Sequence, residues 1–597
     1  MHNPAIFYKA QIDKLSTSLQ QLYKRKTTIG WLRLMSMMGI LAPTAIAIID
    51  SEALWLPVTG SFIYCFIRLL YMDVNNNDGI RNHQHLLQIN NTELLVLQHQ
   101  FTQLPSGANH QPAQHAYAND LDMLGHSSLY QYINRTQTEQ GAALLIQALL
   151  KPSDMGIILQ RQEAVKELSI ASTWRHQLQA YGITTPITLA AEEKIKHWLQ
   201  SPLAFINTKY WAILRLLLPA IPFSLLGLHL GGLINANGFY SLIIVCLIGA
   251  SLISKKVMPA YRQLEKIAPQ LAALAKIVRW IEQTNFKADL LQKLSQQYLQ
   301  PKAASHRIKL LQRILERLDI RLNPVVFIPL NTFLFWDLQQ VLALEKWKKE
   351  NLHQVEKWFK TLAEIELLTS LATFKFNNPH VSFPTFTNEP GVLIAKQLGH
   401  PLIPPHKMVR NSITIQQGQQ LCLITGSNMA GKSTFLRSTG INIVLAMMGA
   451  PVDAAAFTLS PMQVLSSMRV TDNLEESTST FYAELKKLKE VVDAVNKHQN
   501  VFLLLDEILR GTNSADRHTG SKALIHQLVK HKATGMLATH DIGLAQLGNE
   551  YPTHLHNYHF DVQIKADELY FDYQLKEGVC TSMNASLLMK KIGIELA

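Results

Sequence analysis

Cysteine is scarce in this chain of 597 residues, and its only members are Cys65, Cys246, Cys422 and Cys580. Because these four lie far apart in the sequence, they predict neither a disulfide framework nor a cysteine-based zinc site. Reduced thiols in a cytoplasmic setting are therefore the expected state. No small-residue cleavage site follows a short apolar core near the N-terminus, so we expect no cleaved signal peptide. The histidines of residues 73–118 lack the close spacing of metal ligands, and a solvated surface is the preferred interpretation.

Acidic residues are also in deficit, with 44 Asp and Glu against 56 Lys and Arg and a formal net charge of +12. A chain with this charge and a pI near 9.3 suits a polyanionic partner, either nucleic acid or an anionic membrane surface. Charge alone does not choose between the two. The hydrophobic content of 47% excludes a mainly disordered protein, and the length predicts several domains of about 100–200 residues each.

Four long apolar runs fall into two pairs, residues 34–49 with 53–72 and residues 211–230 with 239–253. Each pair predicts a transmembrane helical hairpin, the first on the condition that the residues just before it lie at the membrane interface. Two buried helical hairpins in a soluble core are the alternative. A further apolar run, residues 325–336, is too short to span a membrane and contains a proline, so we expect it to pack in the core.

Basic residues flank the outer ends of both hairpins, whereas the short connecting loops carry none. The positive-inside rule then places both termini and all large segments in the cytoplasm, in a multi-pass protein of the inner membrane. The flanking residues are Lys24, Arg25, Lys26, Lys209, Lys255 and Lys256.

An apolar stretch followed by a glycine-rich loop occupies residues 421–434, with the sequence L-C-L-I-T-G-S-N-M-A-G-K-S-T. Gly426, Gly431, Lys432 and Ser433 fill the fixed places of the pattern G-x-x-x-x-G-K-[ST]. In such a loop the backbone N–H groups surround a β-phosphate, the lysine reaches the β- and γ-phosphates, and the serine hydroxyl binds Mg²⁺. A chance glycine turn before a helix is the alternative, which the order of strand, loop and helix disfavours.

Two later strands end in groups that suit the same chemistry. The apolar residues 501–505 lead into Asp506 and Glu507, of which the first is expected to hold Mg²⁺ and the second to polarise the attacking water. Residues 534–538 form another strand, and His540 at its end is a candidate sensor of the γ-phosphate. The alternatives are a strand capped by two exposed acids and a purely structural histidine.

Together these motifs resemble those of the MutS family, the DNA mismatch-repair ATPases of the ABC type. The loop T-G-S-N-M-A-G-K-S-T is similar to the family's T-G-P-N-M-G-G-K-S-T, and the Asn-Met pair inside it is the most specific feature. The segment D-E-I-L-R-G-T at 506–512 matches the family's D-E-I-G-R-G-T except at Leu509. A-T-H at 538–540 matches the family's switch histidine, and S-T-F at 479–481 matches its signature segment.

The resemblance implies a mainly α protein with a C-terminal α/β P-loop ATPase domain, with ATP and Mg²⁺ as cofactors. It also implies a homodimer with ATP between two ATPase domains, in which Ser479 acts in trans and Asn428 contacts the nucleotide or the bound water. The implied catalytic residues are Glu507, Lys432 and His540, and the implied Mg²⁺ ligands are Ser433 and Asp506. The implied nucleotide-binding residues are Gly426, Ser427, Asn428, Met429, Ala430, Gly431, Lys432, Ser433, Thr434 and Ser479.

The largest departure from the family concerns DNA recognition. The resemblance covers roughly residues 119–200 and 300–597. The F-x-E tripeptide with which the repair enzymes read a mismatch occurs nowhere in this sequence, and the two membrane hairpins stand in the place of the reading head and the DNA clamp. We therefore expect a membrane-anchored ATPase that acts on DNA structures but not on simple mismatches. The alternative is an ABC-type ATPase that drives a membrane or protein rearrangement without binding DNA.

Smaller departures lie in the ATPase domain itself. Ala430 replaces a glycine of the loop, which is tolerable if that residue has a negative φ. No aromatic residue closely follows the His-Pro pair of this domain, where the family has a residue that stacks on the adenine. The resemblance then implies that Leu402 or Ile403 takes that place. The residues after Thr512 differ from the family's S-T-x-D-G at a surface that faces the partner subunit, where they affect communication between the two sites.

Helical periodicity dominates residues 119–200 and 260–370, and a linker rich in Pro, Asn and Phe at 379–390 precedes an alternating α/β pattern. These shifts divide the chain into five segments. They are 1–80 (N-terminal helix and first transmembrane hairpin), 81–204 (first part of a helical MutS-core-like domain), 205–258 (second transmembrane hairpin), 259–385 (helical lever and second part of the core) and 386–597 (ATPase domain).

Overall fold

The computed structural model describes residues 3–49, 55–203, 205, 209–416, 420–427, 430–469, 480–497, 499–565 and 568–580. The N-terminal part is helical and the C-terminal part alternates strands with helices, as the sequence predicts. The helices of the first part are α1 (Pro4–Ile49), α2 (Leu56–Leu97), α3 (Leu129–Ile133), α4 (Glu139–Leu150), α5 (Met155–Ile170), α6 (Ser172–Ile183), α7 (Leu189–Gln200), α8 (Lys209–Leu230), α9 (Ala236–Gln263), α10 (Ala268–Glu282), α11 (Asp289–Leu299), α12 (Ala304–Asp319), α13 (Pro324–Leu334), α14 (Trp336–Asn351) and α15 (Val355–Asn377).

The second part follows α15 and forms two sheets with flanking helices. Its strands are β1 (Thr385–Phe386), β2 (Leu393–Leu398), β3 (Asn411–Ile415), β4 (Leu421–Thr425), β5 (Ala456–Leu459), β6 (Gln463–Ser467), β7 (Val501–Asp506), β8 (Thr534–Thr539), β9 (Leu555–Lys565) and β10 (Glu568–Glu577). Its helices are α16 (Lys432–Met447), α17 (Thr480–Asn496), α18 (Ser514–Lys530) and α19 (Leu547–Glu550).

Helices α1 and α2 form one long antiparallel hairpin with arms of 46 and 42 residues. The predicted helix 5–26 and the apolar run 34–49 are a single helix, because the residues between them include no proline to interrupt it. The second arm likewise continues from its apolar run past position 80 into the polar segment. The register of the arms is marked by Asn76, whose side-chain amide donates to the Leu22 carbonyl at 3.1 Å.

Three of the described helices are long and apolar enough to cross a membrane: Pro4–Ile49, Tyr210–Leu230 and Ala236–Gln263. The described part of α2 is not among them, although it carries much of the predicted second span. The apolar side chains of these helices project away from the rest of the chain, as at Leu216 and Val245, which are 69% and 63% exposed. The two hairpins are therefore not buried in the core that the described residues form.

The expectation that residues 325–336 pack in the core is wrong. They form most of α13, which contacts α8 through Phe333, whose ring lies 5.8 Å from that of Phe223. Asn331 donates to a serine of α9 at 2.9 Å, whereas Val325 on the outer side is 82% exposed. The apolar face of α13 thus continues the exposed surface of the second hairpin. An 80° bend separates α13 from α14, and the two together are also apolar enough for one broken span.

One hydrophobic core runs from the helical part into the α/β part and fixes the two against each other. Arg161 of α5 reinforces the junction, because its Nε lies 2.7 Å from Glu364 of α15 and its Nη1 donates to the carbonyl of Met448, just after α16, at 3.2 Å. Asp120 forms a second link, since its buried carboxylate accepts a hydrogen bond from the Ser466 hydroxyl of β6 at 2.7 Å.

The larger sheet has six strands in the order β10-β9-β4-β8-β7-β6. All neighbours are parallel except β10, which runs antiparallel to β9. The smaller sheet has the order β1-β5-β2-β3 and contains the first three strands of the α/β part. Because β4, β8 and β7 are adjacent and parallel, their carboxyl ends meet at one edge of the sheet, where α/β proteins bind their ligands.

Candidate functional site

The glycine-rich loop joins the end of β4 to the start of α16 at the carboxyl edge of the sheet. Gly426 and Gly431 have φ values of 147° and 105°, which favour glycine. A Cβ atom on Gly426 would lie 2.7 Å from the carbonyl oxygen of Phe560, and one on Gly431 would lie 3.2 Å from a ring carbon of Tyr573. Both glycines are therefore required by backbone conformation and by space.

Lys432, the first residue of α16, places its ammonium group inside the loop. The side chain is buried, and Nζ donates to the carbonyls of Gly426 and Ser427 at 2.8 and 2.9 Å. Burial lowers the pKa of Lys432, and the neighbouring carboxylates of Glu507 and Asp506 oppose that shift. The loop thus combines a positive charge with the N-terminus of a helix, an arrangement that suits a phosphate.

Asp506, the last residue of β7, lies beside Ser433 of α16, and their side chains are hydrogen-bonded. Burial raises the pKa of Asp506, and the Ser433 hydroxyl and Arg510 counteract that rise. The second carboxylate oxygen, Oδ1, is buried and has no partner among the described residues. A hydroxyl next to a carboxylate with a free oxygen fits Mg²⁺, which prefers oxygen ligands and keeps several from water and phosphate. Elsewhere in the described chain, no cluster of three or more His, Cys, Asp or Glu residues is arranged for a metal.

Glu507 follows in a left-handed conformation, with φ of 49°. Its Oε1 contacts His540 Nε2, and its Oε2 lies 3.0 Å from Arg510 Nε. The hydrogen bond with His540 is the main cause that lowers the pKa of Glu507, so the carboxylate is ionised at neutral pH. The other ring nitrogen of His540 lies 3.0 Å from the Gly426 carbonyl. The histidine therefore bridges the carboxylate to the glycine-rich loop, as the parallel order of β4, β8 and β7 predicts.

A further carboxylate, Glu484 of α17, supports the loop after β7. It accepts hydrogen bonds from the backbone N–H groups of Leu509 and Arg510, the second at 3.4 Å. Leu509 has φ of 61°, a conformation that is costly for leucine by about 1–2 kcal/mol and that glycine adopts freely. The Glu484 contact and the packing of the Leu509 side chain against α18 hold this strained turn in place. Sequence analysis gives Glu484 no role, because a single acid on an amphipathic helix carries no motif.

Tyr573 of β10 is an aromatic residue beside the glycine-rich loop. Its ring lies next to Gly431, and its side chain is 44% exposed. A register shift between β9 and β10 turns this residue outward, and Asn411 holds the turn by donating to the Tyr573 carbonyl at 3.0 Å and accepting from Leu575 N at 2.8 Å. By contrast, Ile403 lines a cleft against the helical part. Only the strand pairing brings Tyr573 to the loop, and no short motif marks it.

The structure thus brings Gly426, Lys432, Ser433, Asp506, Glu507 and His540 together at one edge of the sheet. Ala430 is buried. Ser427 Oγ is buried without a partner in the described chain, and the Thr434 carbonyl accepts from Ser438 within α16. The predicted contacts of Asn428, Met429 and Ser479 lie outside the described residues.

Comparison with known proteins identifies the C-terminal part. Residues 422–592 match the family MutS domain V. The chain is 30% identical over 249 residues to MutS protein homolog 4 of Mus musculus. The aligned segment covers 40% of this chain and 25% of that protein. It is 30% identical over 237 residues to the DNA mismatch repair protein MutS of Leuconostoc mesenteroides, covering 38% and 27% of the two chains. MutS protein homolog 4 of Homo sapiens is 28% identical over 249 residues, covering 40% and 26%. The match thus spans about a quarter of each relative.

Proposed function

We propose that this chain, whose residues 422–592 match MutS domain V, is a MutS-like, membrane-anchored enzyme that hydrolyses ATP to ADP and phosphate. The proposal rests on one observation. Lys432, Glu507 and His540 lie together at the carboxyl edge of three adjacent parallel strands. An ammonium group in a glycine-rich loop, facing an ionised carboxylate, is the arrangement that phosphoryl transfer to water requires.

Each side chain would act through position and charge. The loop from Gly426 to Lys432 would hold the phosphates, with Lys432 exchanging its carbonyl contacts for phosphate oxygens. Ser433 and Asp506 would hold Mg²⁺, which when bound neutralises charge on the phosphates. Glu507 would accept a hydrogen bond from the attacking water and orient it. His540 would keep Glu507 aligned with the loop.

The base of the nucleotide would stack on Tyr573. An exposed aromatic ring beside the last glycine of the loop offers a flat surface at one side of the phosphate position. Asn411 fixes the backbone that presents it.

We expect Tyr573→Ala to raise the Kd for ATP by about tenfold, because base–aromatic stacking contributes roughly 1–3 kcal/mol. Tyr573→Phe keeps the ring and should retain the wild-type Kd within about twofold, since only the hydroxyl is lost. A fluorescent ATP analogue titrated into the purified protein measures the affinity. Equal affinities of the alanine and phenylalanine variants would contradict stacking at this residue.

The active enzyme is proposed to be a homodimer with ATP between two ATPase domains. MutS-family proteins bind ATP and work as dimers, which supports this arrangement. Glu484 connects the carboxylate loop to α17, the helix that directly follows the Ser479 segment. Ser479 would contact the nucleotide of the partner subunit, and α17 would then transmit that contact to Glu507 through the strained turn at Leu509.

Membrane anchoring is proposed from the exposed apolar helices. The side chains of α8 and α9 that face outward are apolar, and basic residues lie only at the outer ends of this hairpin. The exposed apolar face of α13 adjoins the same surface, so the second hairpin and α13 would enter the bilayer together. The positive-inside rule then places the ATPase domain in the cytoplasm.

A cysteine-labelling experiment tests this placement in a Cys65→Ser background, because the other three cysteines are buried. In sealed inverted vesicles, Val245→Cys and Val325→Cys should react with a membrane-impermeant maleimide at least about tenfold more slowly than after detergent is added, because hydrocarbon disfavours the reactive thiolate. Ile170→Cys, in the equally exposed end of α5, is the matched control and should react at one rate in both conditions. Fast labelling of Val245→Cys in intact vesicles would show that α9 faces water.

DNA is the proposed partner, in a form other than a simple mismatch. The net charge of +12 supports it, as does the similarity to a DNA mismatch repair protein, MutS of Leuconostoc mesenteroides. A second candidate, a membrane or protein rearrangement without DNA, is favoured by the apolar surface of α8, α9 and α13. The two differ in salt dependence, because binding to DNA phosphates releases counterions and weakens steeply as salt rises.

A further inference from the structure

A cleft of about 200 Å³ lies between α1 and α2, far in sequence from the ATPase site. Arg25 of α1 and Arg68 of α2 line it from opposite arms, and Tyr71, Asn75 and Asn76 are among its other lining residues. Two arginines from different helices therefore line one cleft, together with the apolar side chains of Leu22 and Met72. This space is large enough for a phosphate group with its substituents.

The cleft carries unbalanced positive charge. Within the described chain, neither Arg25 nor Arg68 forms an ion pair, whereas Asp73 of the same hairpin is already paired with Arg33 at 2.8 Å. Asn76 adds a second polar feature, because its Nδ2 donates to the Leu22 carbonyl while its buried Oδ1 has no partner among the described residues. An unpaired buried acceptor is unfavourable unless a hydroxyl, an ammonium group or water satisfies it.

The position of the cleft along the hairpin indicates the kind of molecule that it binds. The exposed apolar surface of α1 begins at Trp31 and extends to Ile49, which at a rise of about 1.5 Å per residue spans about 27 Å, close to a hydrocarbon core of about 30 Å. Arg25 lies about two turns before Trp31. The Asn76 side chain bonds the Leu22 carbonyl, and the two arms are antiparallel. This register places Arg68 level with the part of α1 between Arg25 and Trp31. The cleft therefore lies at the depth of lipid headgroups.

We propose that this cleft binds the phosphate of an anionic glycerophospholipid headgroup that also carries a hydroxyl, such as phosphatidylglycerol. Arg25 and Arg68 bind the phosphate oxygens from the two arms, because guanidinium groups form paired charge-assisted hydrogen bonds with phosphate. The acyl chains then lie along the apolar surface that begins at Trp31. The site ties the two arms of the hairpin together, and it rests on insertion of this first hairpin in the membrane, which the apolar runs of residues 34–49 and 53–72 predict.

Native mass spectrometry of the full-length chain in detergent tests the proposal, with phosphatidylglycerol and phosphatidylcholine of the same acyl chains as probes. We expect Arg25→Gln and Arg68→Gln each to weaken retention of phosphatidylglycerol by about tenfold, the effect of losing one charge-assisted contact. Lys24→Gln removes the same charge from the neighbouring exposed position and should change retention by less than about twofold. ATP turnover of all variants should match that of the wild type, which shows that they are folded.

Other outcomes overturn the proposal in identifiable ways. Equal retention of both lipids, or arginine variants that match Lys24→Gln, would show that the cleft does not select a headgroup. If inorganic phosphate displaces phosphatidylglycerol at similar concentrations, the site binds free phosphate and the lipid assignment is wrong. Maleimide labelling of Met38→Cys, on the exposed apolar surface of α1, in the Cys65→Ser background separates this failure from a failure of membrane insertion. Fast labelling in intact vesicles would show that the first hairpin faces water.

Discussion

Glu507→Gln should reduce ATP turnover by about 10²–10⁴-fold while leaving ATP affinity within about twofold of the wild type. The substitution keeps the size and one oxygen of the side chain but removes the negative charge that orients the attacking water. Affinity is retained because the phosphates are held by the loop and Lys432, which do not depend on this carboxylate. Lys432→Ala should instead weaken ATP binding itself, since its ammonium group is the one charge inside the loop.

The structure explains why the neutral variant should be so impaired. The hydrogen bond with His540 keeps the pKa of Glu507 low, and Arg510 holds its other oxygen at 3.0 Å. The carboxylate is therefore charged and fixed before substrate arrives, so it needs little reorganisation during the reaction. Glutamine in the same place is neutral, and its N–H group cannot accept a hydrogen bond from the attacking water or from Arg510.

Turnover is best measured on the detergent-purified chain with no DNA, with duplex DNA and with branched DNA, at low and high salt. Glu550→Gln is the matched control, because Glu550 is an exposed acid of the same domain whose partner Lys522 lies 3.8 Å away. Stimulation of the wild type by branched DNA that is lost at high salt supports the DNA partner. Turnover indifferent to every DNA but raised by anionic lipid supports the second candidate. A Glu507→Gln variant as active as Glu550→Gln would remove Glu507 from catalysis.

The sequence predicts which residues meet at the carboxyl edge of the larger sheet, because the parts of this candidate site are local. A strand, a glycine-rich loop and a helix occupy consecutive residues, and the strands that end at Asp506 and His540 follow the alternating α/β pattern that makes them parallel neighbours. The sequence does not predict the position of Tyr573, because this residue reaches Gly431 only through a register shift in the β9–β10 pair. Contacts that depend on strand register leave no pattern in a single sequence.

The helical part was predicted less well because apolar runs have more than one use. The run of α13 is too short for a span, and shortness alone favours burial in a core. Its neighbours decide otherwise, since α13 lies on the exposed second hairpin, where Val325 has no core to enter. The joining of residues 5–26 to 34–49 in one helix was also missed, because a change from polar to apolar composition does not interrupt the backbone hydrogen bonds.

Arg135→Met should lower the free energy of unfolding by about 3–5 kcal/mol, because it leaves the carboxylate of Glu93 buried without a countercharge. Glu93 of α2 is 1% exposed, and its Oε2 accepts from Arg135 Nη2 at 3.1 Å and from Asn377 Nδ2 at 2.7 Å. Burial alone would raise the pKa of Glu93, but the arginine overrides it and the net shift is downward. The Tyr8 hydroxyl of α1 completes the cluster by donating to Asn377 at 2.6 Å.

This cluster joins both arms of the first hairpin to the end of α15. Loss of the ion pair should therefore lower the apparent Tm of the detergent-solubilised protein and increase proteolysis of the hairpin, which differential scanning fluorimetry and limited trypsin digestion measure. Arg81→Met is the matched control, because Arg81 pairs with Asp78 on the exposed surface of the same helix and should contribute less than about 1 kcal/mol.

The double variant Glu93→Met/Arg135→Met separates charge from packing. A buried ion pair replaced on both sides by apolar residues of similar size often costs little, so the double variant should be more stable than Arg135→Met alone. Recovery of stability would mean that the pair fixes the position of the hairpin more than it contributes to its stability. A double variant as unstable as the single one would mean that Arg135 acts through its contacts to the carbonyls of Tyr132 and Asn134, which methionine cannot replace.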